Sequence, residues 1–356
     1  MSKEMESDVD QLVSLASGIG VSSNVGYNTA AQHPKFADYY KKRSQPELNQ
    51  EKRRRQFLEK QKQNRFDQVL LARKLALNEF DYDDLSPEEE TATPMDVTLS
   101  HKKGKPPSRP PKSRFYKDQL MLSEWLVDIP EAAELGSDWL MVPCPQGRRC
   151  LVVAAQGVTT VYSKAGWQMN QFPSSLPGGR GNATSRDYTL LDCIYSELDS
   201  TYFILDLMCW HNYPVFDSDT EFRFFWLNSK LAEIPELAEK SKSNPYRFTS
   251  LPYCACTKEE METFMKREFQ FKAELDGLLF YHRQAHYWKG QTPLVGWLKP
   301  FMLPEILDVH VPQSYMQGHE QKSTAQFIQD FNTQYKERRQ RKSAENGTVM
   351  ETGDAN

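Results

Sequence analysis

Between Lys117 and Pro312 the chain is made of aromatic, β-branched and Cys-rich runs of four to eight residues, cut apart by Gly, Pro and Asn. The clearest are 139–143, 150–155, 188–195, 201–208 and 222–227. Runs of that length and composition are strands, and few helical patterns interrupt them. They predict one α+β domain over 117–312, built of two mostly antiparallel sheets with a cleft between them. About 200 residues can bury over two thirds of the surface that their unfolded chain exposes.

The flanks are of another kind. Apolar residues make up 39% of the 356 and mean hydropathy is −0.69, so hydrophilic segments must share the chain with the folded body. The formal charge of −4 hides a strong asymmetry, because 35–74 holds 13 Lys or Arg against 5 Asp or Glu. Next, 79–96 carries 8 acidic residues and no basic one, and 101–113 carries 5 Lys or Arg with 4 prolines. Opposite charge blocks without apolar periodicity predict a linker over 79–116. Residues 1–32 and 313–356 read as flexible tails, the second a frayed helix at most.

In the basic arm, 33–78, Ser44-Gln45-Pro46-Glu47 combines a capping box with a first-turn proline, and nothing as far as Asn78 breaks a helix. One helix over 47–78 would be about 48 Å long. Lys52, Arg53, Arg54, Arg55, Lys60, Lys62 and Arg65 surround its first half, and its apolar residues gather in the second. Such a helix has too little apolar face to pack on its own domain. It is either a solvated or RNA-binding arm, or one that becomes ordered inside an acidic, concave partner. Upstream, Val9, Leu12, Leu15, Ile19 and Val21 make a loose amphipathic turn, or else have the spacing of a leucine-rich nuclear export signal.

No apolar run approaches the ~20 residues needed to span a bilayer, and 1–10 lacks a basic region followed by an apolar one. A cytosolic or nuclear protein is expected. Cys144, Cys150, Cys193, Cys209, Cys254 and Cys256 form no C-x-x-C pair and read as small buried hydrophobes. A zinc site drawn from Cys254-x-Cys256 with His282 and His286 has poor spacing, and Pro177-Gly178-Gly179-Arg180-Gly181 lacks the G-K-[ST] ending of a phosphate loop. No metal or cofactor is expected.

Three segments carry chemistry-like patterns: Cys144-Pro145-Gln146-Gly147-Arg148-Arg149, Asp276-Gly277-Leu278-Leu279-Phe280-Tyr281, and Gly296-Trp297-Leu298-Lys299-Pro300. Their order resembles the nucleotidyltransferase fold of messenger-RNA capping guanylyltransferases and ATP-dependent ligases. There a lysine in a K-x-D-G-x-R segment attacks the α-phosphate. In this chain Cys144 stands at the lysine position and Gln146 at the aspartate. Near the other end the second lysine of the family's closing strand survives as Lys299, and the first has become Trp297. An active guanylyltransferase would need another nucleophile, Lys164 being the nearest candidate.

With Gln119-Leu120-Met121-Leu122-Ser123-Glu124-Trp125-Leu126, Leu205-Asp206-Leu207-Met208-Cys209-Trp210 and the arm's Ala72-Arg73-Lys74-Leu75-Ala76 added, the chain resembles the snurportin family of nuclear-import adaptors. The resemblance implies a domain that binds the 2,2,7-trimethylguanosine cap of spliceosomal small nuclear RNA. Trp297 would stack on the cationic base, Trp125 would wall the two N2 methyls, and Ser123 and Cys144 would touch the base edge. Arg149, Lys164 and Lys299 would meet the phosphates. It further implies that the arm binds importin-β through Arg53, Arg54, Arg55, Arg65, Arg73 and Lys74, with Phe57 and Leu58 as packing anchors. An exportin with Ran-GTP would read the 9–21 series, and the protein would shuttle between nucleus and cytoplasm.

Overall fold

The computed structural model describes residues 50–63, 67–77, 113–181, 186–318, 323–334 and 337. The 9–21 series and Arg65 lie outside them. Two sheets make the body. The first contains β1 (Met121–Trp125), β2 (Trp139–Pro145), β10 (Cys254–Ala255), β11 (Leu275–His282) and β12 (Gly290–Leu298), in the order β1-β12-β11-β2-β10. The second runs β5-β4-β3-β6-β7-β8, from β3 (Arg148–Ala155), β4 (Val158–Ser163), β5 (Gln168–Phe172), β6 (Tyr188–Ser196), β7 (Thr201–Trp210) and β8 (Tyr213–Pro214). A further strand, β9 (Arg247–Ser250), pairs with β7. Only β1–β12 and β7–β9 are parallel, so the expected two-sheet α+β body with mostly antiparallel pairing is what forms.

Alternation along β3 shows where the core lies. Leu151, Val153 and Ala155 join Leu140, Val142, Leu279 and Trp297 in the core that unites the two sheets. Cys150, Val152 and Ala154 point the other way, into a second core with Phe172, Leu227 and Phe248. Both faces of the seven-stranded sheet are covered, which is why β3, β6 and β7 read as near-continuous apolar runs. The cysteines are free thiols, all buried except the half-buried Cys254.

Four expectations need correction. The run 222–227 is not a strand but part of a helix, Thr220–Ala232. Asp219 accepts a hydrogen bond from the Phe222 backbone N–H at 2.9 Å, and this cap sets a helical path. Phe224 and Leu227, three apart, are buried while Phe222 and Phe225 face outward. An aromatic run can therefore wrap a helix as easily as line a strand.

The described parts of the arm, Gln50–Gln63 and Asp67–Leu77, are helical as expected, but the arm does pack on the body. Arg53 makes a two-pronged bond to Glu124 at 2.6 and 2.7 Å. Arg54 is buried, donating to the Asp128 and Pro293 carbonyls and lying 4.9 Å over the Trp139 ring. Ala72, Leu75 and Ala76 complete the contact from the second helix. Guanidinium groups with fixed acceptors supply the adhesion that the sparse apolar face lacks.

The linker ends early: Tyr116 stacks on Tyr162 at 3.6 Å and donates its hydroxyl to the Leu75 carbonyl, so 113–116 belongs with the body. At the other end, residues 324–334 form a helix that packs on the body instead of fraying from it. Ile328 is buried in the inter-sheet core, Phe327 and Phe331 pack against it, and Thr324 donates twice to Glu305 at 2.7 Å.

Candidate functional site

Side chains of β1 leave the strand on alternate faces. Glu124 goes to the arm, receiving Gln50 as well as Arg53, and Trp125 goes to the opposite face, while Ser123 sits where the register with β12 shifts. The register then assembles a site. Trp125 is paired with Trp297 across β1 and β12, and Trp297 with Leu279 across β12 and β11. Gly277 is paired with Cys144 across β11 and β2. Trp125, Trp297, Gly277 and Cys144 thus share one face of four adjacent strands.

Gly277 is there for space. A Cβ on it would lie 2.3 Å from the Trp297 ring, so the indole fits only against bare backbone. Trp125 and Ser123 are fully buried, Cys144 nearly so, and Trp297 is 7% exposed. The Ser123 hydroxyl has no hydrogen-bond partner among the described residues, a buried polar group that asks for one.

The cations fare differently. Lys299 joins the site: its ammonium bonds Asp276 Oδ1 at 2.7 Å and lies 5.9 Å from the Trp297 ring centre. Arg149 is clamped by Asp192 through Nε at 3.0 Å and Nη2 at 2.7 Å, and also donates to the Met121 carbonyl. Tyr287 donates to the same carboxylate at 2.8 Å. Burial opposes the charge of Arg149, but the paired carboxylate outweighs it and holds the guanidinium protonated. Arg149 therefore ties the seven-stranded sheet to β1 instead of standing ready for phosphate. Lys164 follows β4 in the second sheet, where its carbonyl accepts from the Asp118 N–H at 3.2 Å.

A cavity of about 930 Å³ opens beside the site, lined among others by Gln146, Asp276, Lys299, Phe301, Phe327 and Phe331. Sequence reasoning missed Asp276 as the counter-ion of Lys299, Asp192 as that of Arg149, and the whole contribution of 324–334. The i, i+4 spacing of Phe327 and Phe331 was the available signal for the last.

Arm residues divide by exposure. Arg54 is buried and Arg53 engaged by Glu124, whereas Arg55 and Arg73 are exposed. Phe57, Leu58 and Lys74 are half-buried.

A family model described as "Snurportin1, m3G cap-binding domain" matches residues 119–300, just over half of the chain, and one described as "Snurportin1" matches 33–74. The chain belongs to the snurportin family. Its two sheets and the paired tryptophans fall within the cap-binding domain of that family, and the arm as far as Lys74 within the second match. Among solved structures, a mycobacterial DNA ligase D complexed with ATP and MES is similar at 16% identity and TM-score 0.33, over 50% of this chain and 58% of that one. The ligase domain of M. tuberculosis LigD is similar at 13% identity and TM-score 0.34, over 51% and 60%. The snurportin chain thus spans under two thirds of either ligase chain. Among its described residues no helix is long and apolar enough to cross a membrane.

Proposed function

We propose that this snurportin is a nuclear import adaptor that holds the 2,2,7-trimethylguanosine cap of small nuclear RNA on the sheet face shared by β1 and β12 and links the ribonucleoprotein to importin-β through 33–78. The pairing of Trp125 with Trp297 on one sheet face carries this reading. A guanine methylated at N7 is cationic, and an indole face attracts it by cation–π as well as by stacking, about 1–3 kcal/mol per base. The two N2 methyls need an apolar wall, which Trp125 supplies, with the Ser123 hydroxyl and Cys144 at the base edge. Lys299 and Lys164 serve the phosphates, while Arg149, engaged by Asp192, holds β1 in place beneath them. Return to the cytoplasm is by an exportin with Ran-GTP that reads Val9, Leu12, Leu15, Ile19 and Val21. The chain is not an enzyme, because Cys144 occupies the place of the nucleophilic lysine; incubation with labelled GTP and magnesium should leave no acid-stable adduct.

Cap discrimination tests the assignment. Stacking on Trp297 rewards N7 methylation alone, so preference for a trimethyl over a monomethyl cap must come from desolvating the N2 methyls. At about 0.8 kcal/mol each, plus about 1–3 kcal/mol for burying the unpaired N2 donors of the monomethyl cap, the preference should be tenfold or more. In fluorescence titrations Trp297→Ala should weaken both caps together and Trp125→Ala should bring their affinities toward equality. An intact ratio in Trp125→Ala would place the reading of the methyls elsewhere.

A further inference from the structure

The four side chains assigned to the base are buried, and the helix at 324–334 is what covers the first of them. Phe331 stands edge-on to Trp125, ring centres 5.7 Å apart and planes at 86°. Phe327 packs on Phe331 at 6.0 Å and edge-on to Phe301 at 5.0 Å, and Ile328 is buried beside them. Phe327 and Phe331 also line the cavity beside Asp276 and Lys299. A flat, apolar ring against Trp125 is the same chemistry that a methylated base would offer there.

The grip on that helix is modest. Three apolar side chains in an otherwise polar sequence hold its described part, 324–334. Its first turn is tied by the Thr324 N–H and hydroxyl to the Glu305 carboxylate, 2.7 Å each, and Glu305 belongs to the Leu303–Leu307 helix that follows the Lys299 strand. A segment so held can leave without disturbing either sheet, since the strands pair among themselves.

We propose that residues 324–334 are an internal ligand of the cap site: Phe331 occupies the wall of Trp125 in the free protein, and the trimethylguanosine base displaces it. The proposal rests on the cap-site reading above. Apparent affinity is then the intrinsic affinity scaled by the fraction of molecules in which the helix is out. It also gives the site a ready source of selectivity, because a ligand must replace apolar contacts to open it, and only a base with an apolar edge does so.

Two measurements on the full chain test this. The double variant Phe327→Ala, Phe331→Ala should bind a trimethyl cap dinucleotide about three- to tenfold more tightly than the parent, with the gain in the association rate. Equal or weaker binding overturns the proposal. Amide hydrogen exchange on the unmodified protein needs no variant: saturating cap should accelerate exchange across 324–334, and slowed or unchanged exchange there overturns it. Trp297→Ala separates the two levels. If that variant binds cap like the parent, the site assignment itself is wrong; if it loses binding while the double variant gains none, the site stands and the internal ligand falls.

Discussion

Gly277 carries more of the site than its size suggests. An added methyl would meet three atoms of the Trp297 ring at 2.3–2.8 Å, and that ring, 7% exposed, has nowhere to retreat without leaving its stacking position. Gly277→Ala should therefore reduce the affinity for monomethyl and trimethyl caps alike, as Trp297→Ala does, and cost about 1–3 kcal/mol in denaturant unfolding. Retained cap affinity would show that the indole does not need this seat. His282, at the end of β11, gives the body a pH signature. Burial lowers its pKa to about 4; Asp138 opposes this and Arg54 reinforces it. Between about pH 6.5 and 4 the unfolded chain binds a proton that the folded one refuses, so stability is present above pH 6.5 and falls as the pH drops through that window. The loss is on the order of 3 kcal/mol. His282→Gln should flatten the slope of unfolding free energy against pH there, and an unchanged slope would assign the acid sensitivity to other groups.

At the scale of elements, the arm helix Gln50–Gln63 has two kinds of arginine. Arg54 bonds two body carbonyls and covers Trp139, whereas Arg55 is exposed and pairs only with Glu51 in its own helix. Arg54→Ala should lower stability by about 1–3 kcal/mol, since it leaves buried carbonyls without donors, and Arg55→Ala should leave it unchanged. Binding to importin-β reads the same residues in another way. Replacing Arg53, Arg54 and Arg55 together by Ala should abolish it, because the receptor is expected to recognise the arm by charge. An unchanged dissociation constant would refute the role of the arm. Glu124 is adjacent in sequence to both Ser123 and Trp125 but faces the arm, so one strand serves both surfaces.

For the molecule as a whole, the relation between arm and body is the point most open to a direct test. The acidic and Pro-rich composition of 79–112 makes it the expected place of first proteolytic attack, yet Ala72, Leu75 and Ala76 are buried in the body's core and Arg54 is held by its carbonyls. After limited cleavage there, the two pieces should migrate as one particle in gel filtration, and the body should keep its unfolding transition. Separation of the pieces at low salt would mean that the arm contact is too weak to persist without the covalent tether. The two sheets themselves are tied across by Arg149, Asp192 and Tyr287 as well as by the apolar core. In that setting the Arg149–Asp192 pair is structural, and its loss would leave one charge buried and alone.

Much of this was legible without coordinates. Most strand runs and the two-sheet class follow from composition and period, because a strand buried on both faces must be apolar throughout and its neighbours must be cut by turn residues. Trp125, Ser123, Cys144, Trp297 and Lys299 were singled out through the resemblance of their motifs to a known family, not through period or composition. The sequence could not tell that Asp276 and Asp192 would engage Lys299 and Arg149, since a charge finds its partner through space and not along the chain. Nor could it tell that an arm with so little apolar surface would dock, because the acceptors that hold Arg53 and Arg54 lie more than seventy residues away. The helix at 324–334 is the same lesson in apolar form: three hydrophobic side chains in a polar stretch have no meaning until tertiary structure supplies Trp125 and Phe301 for them to cover.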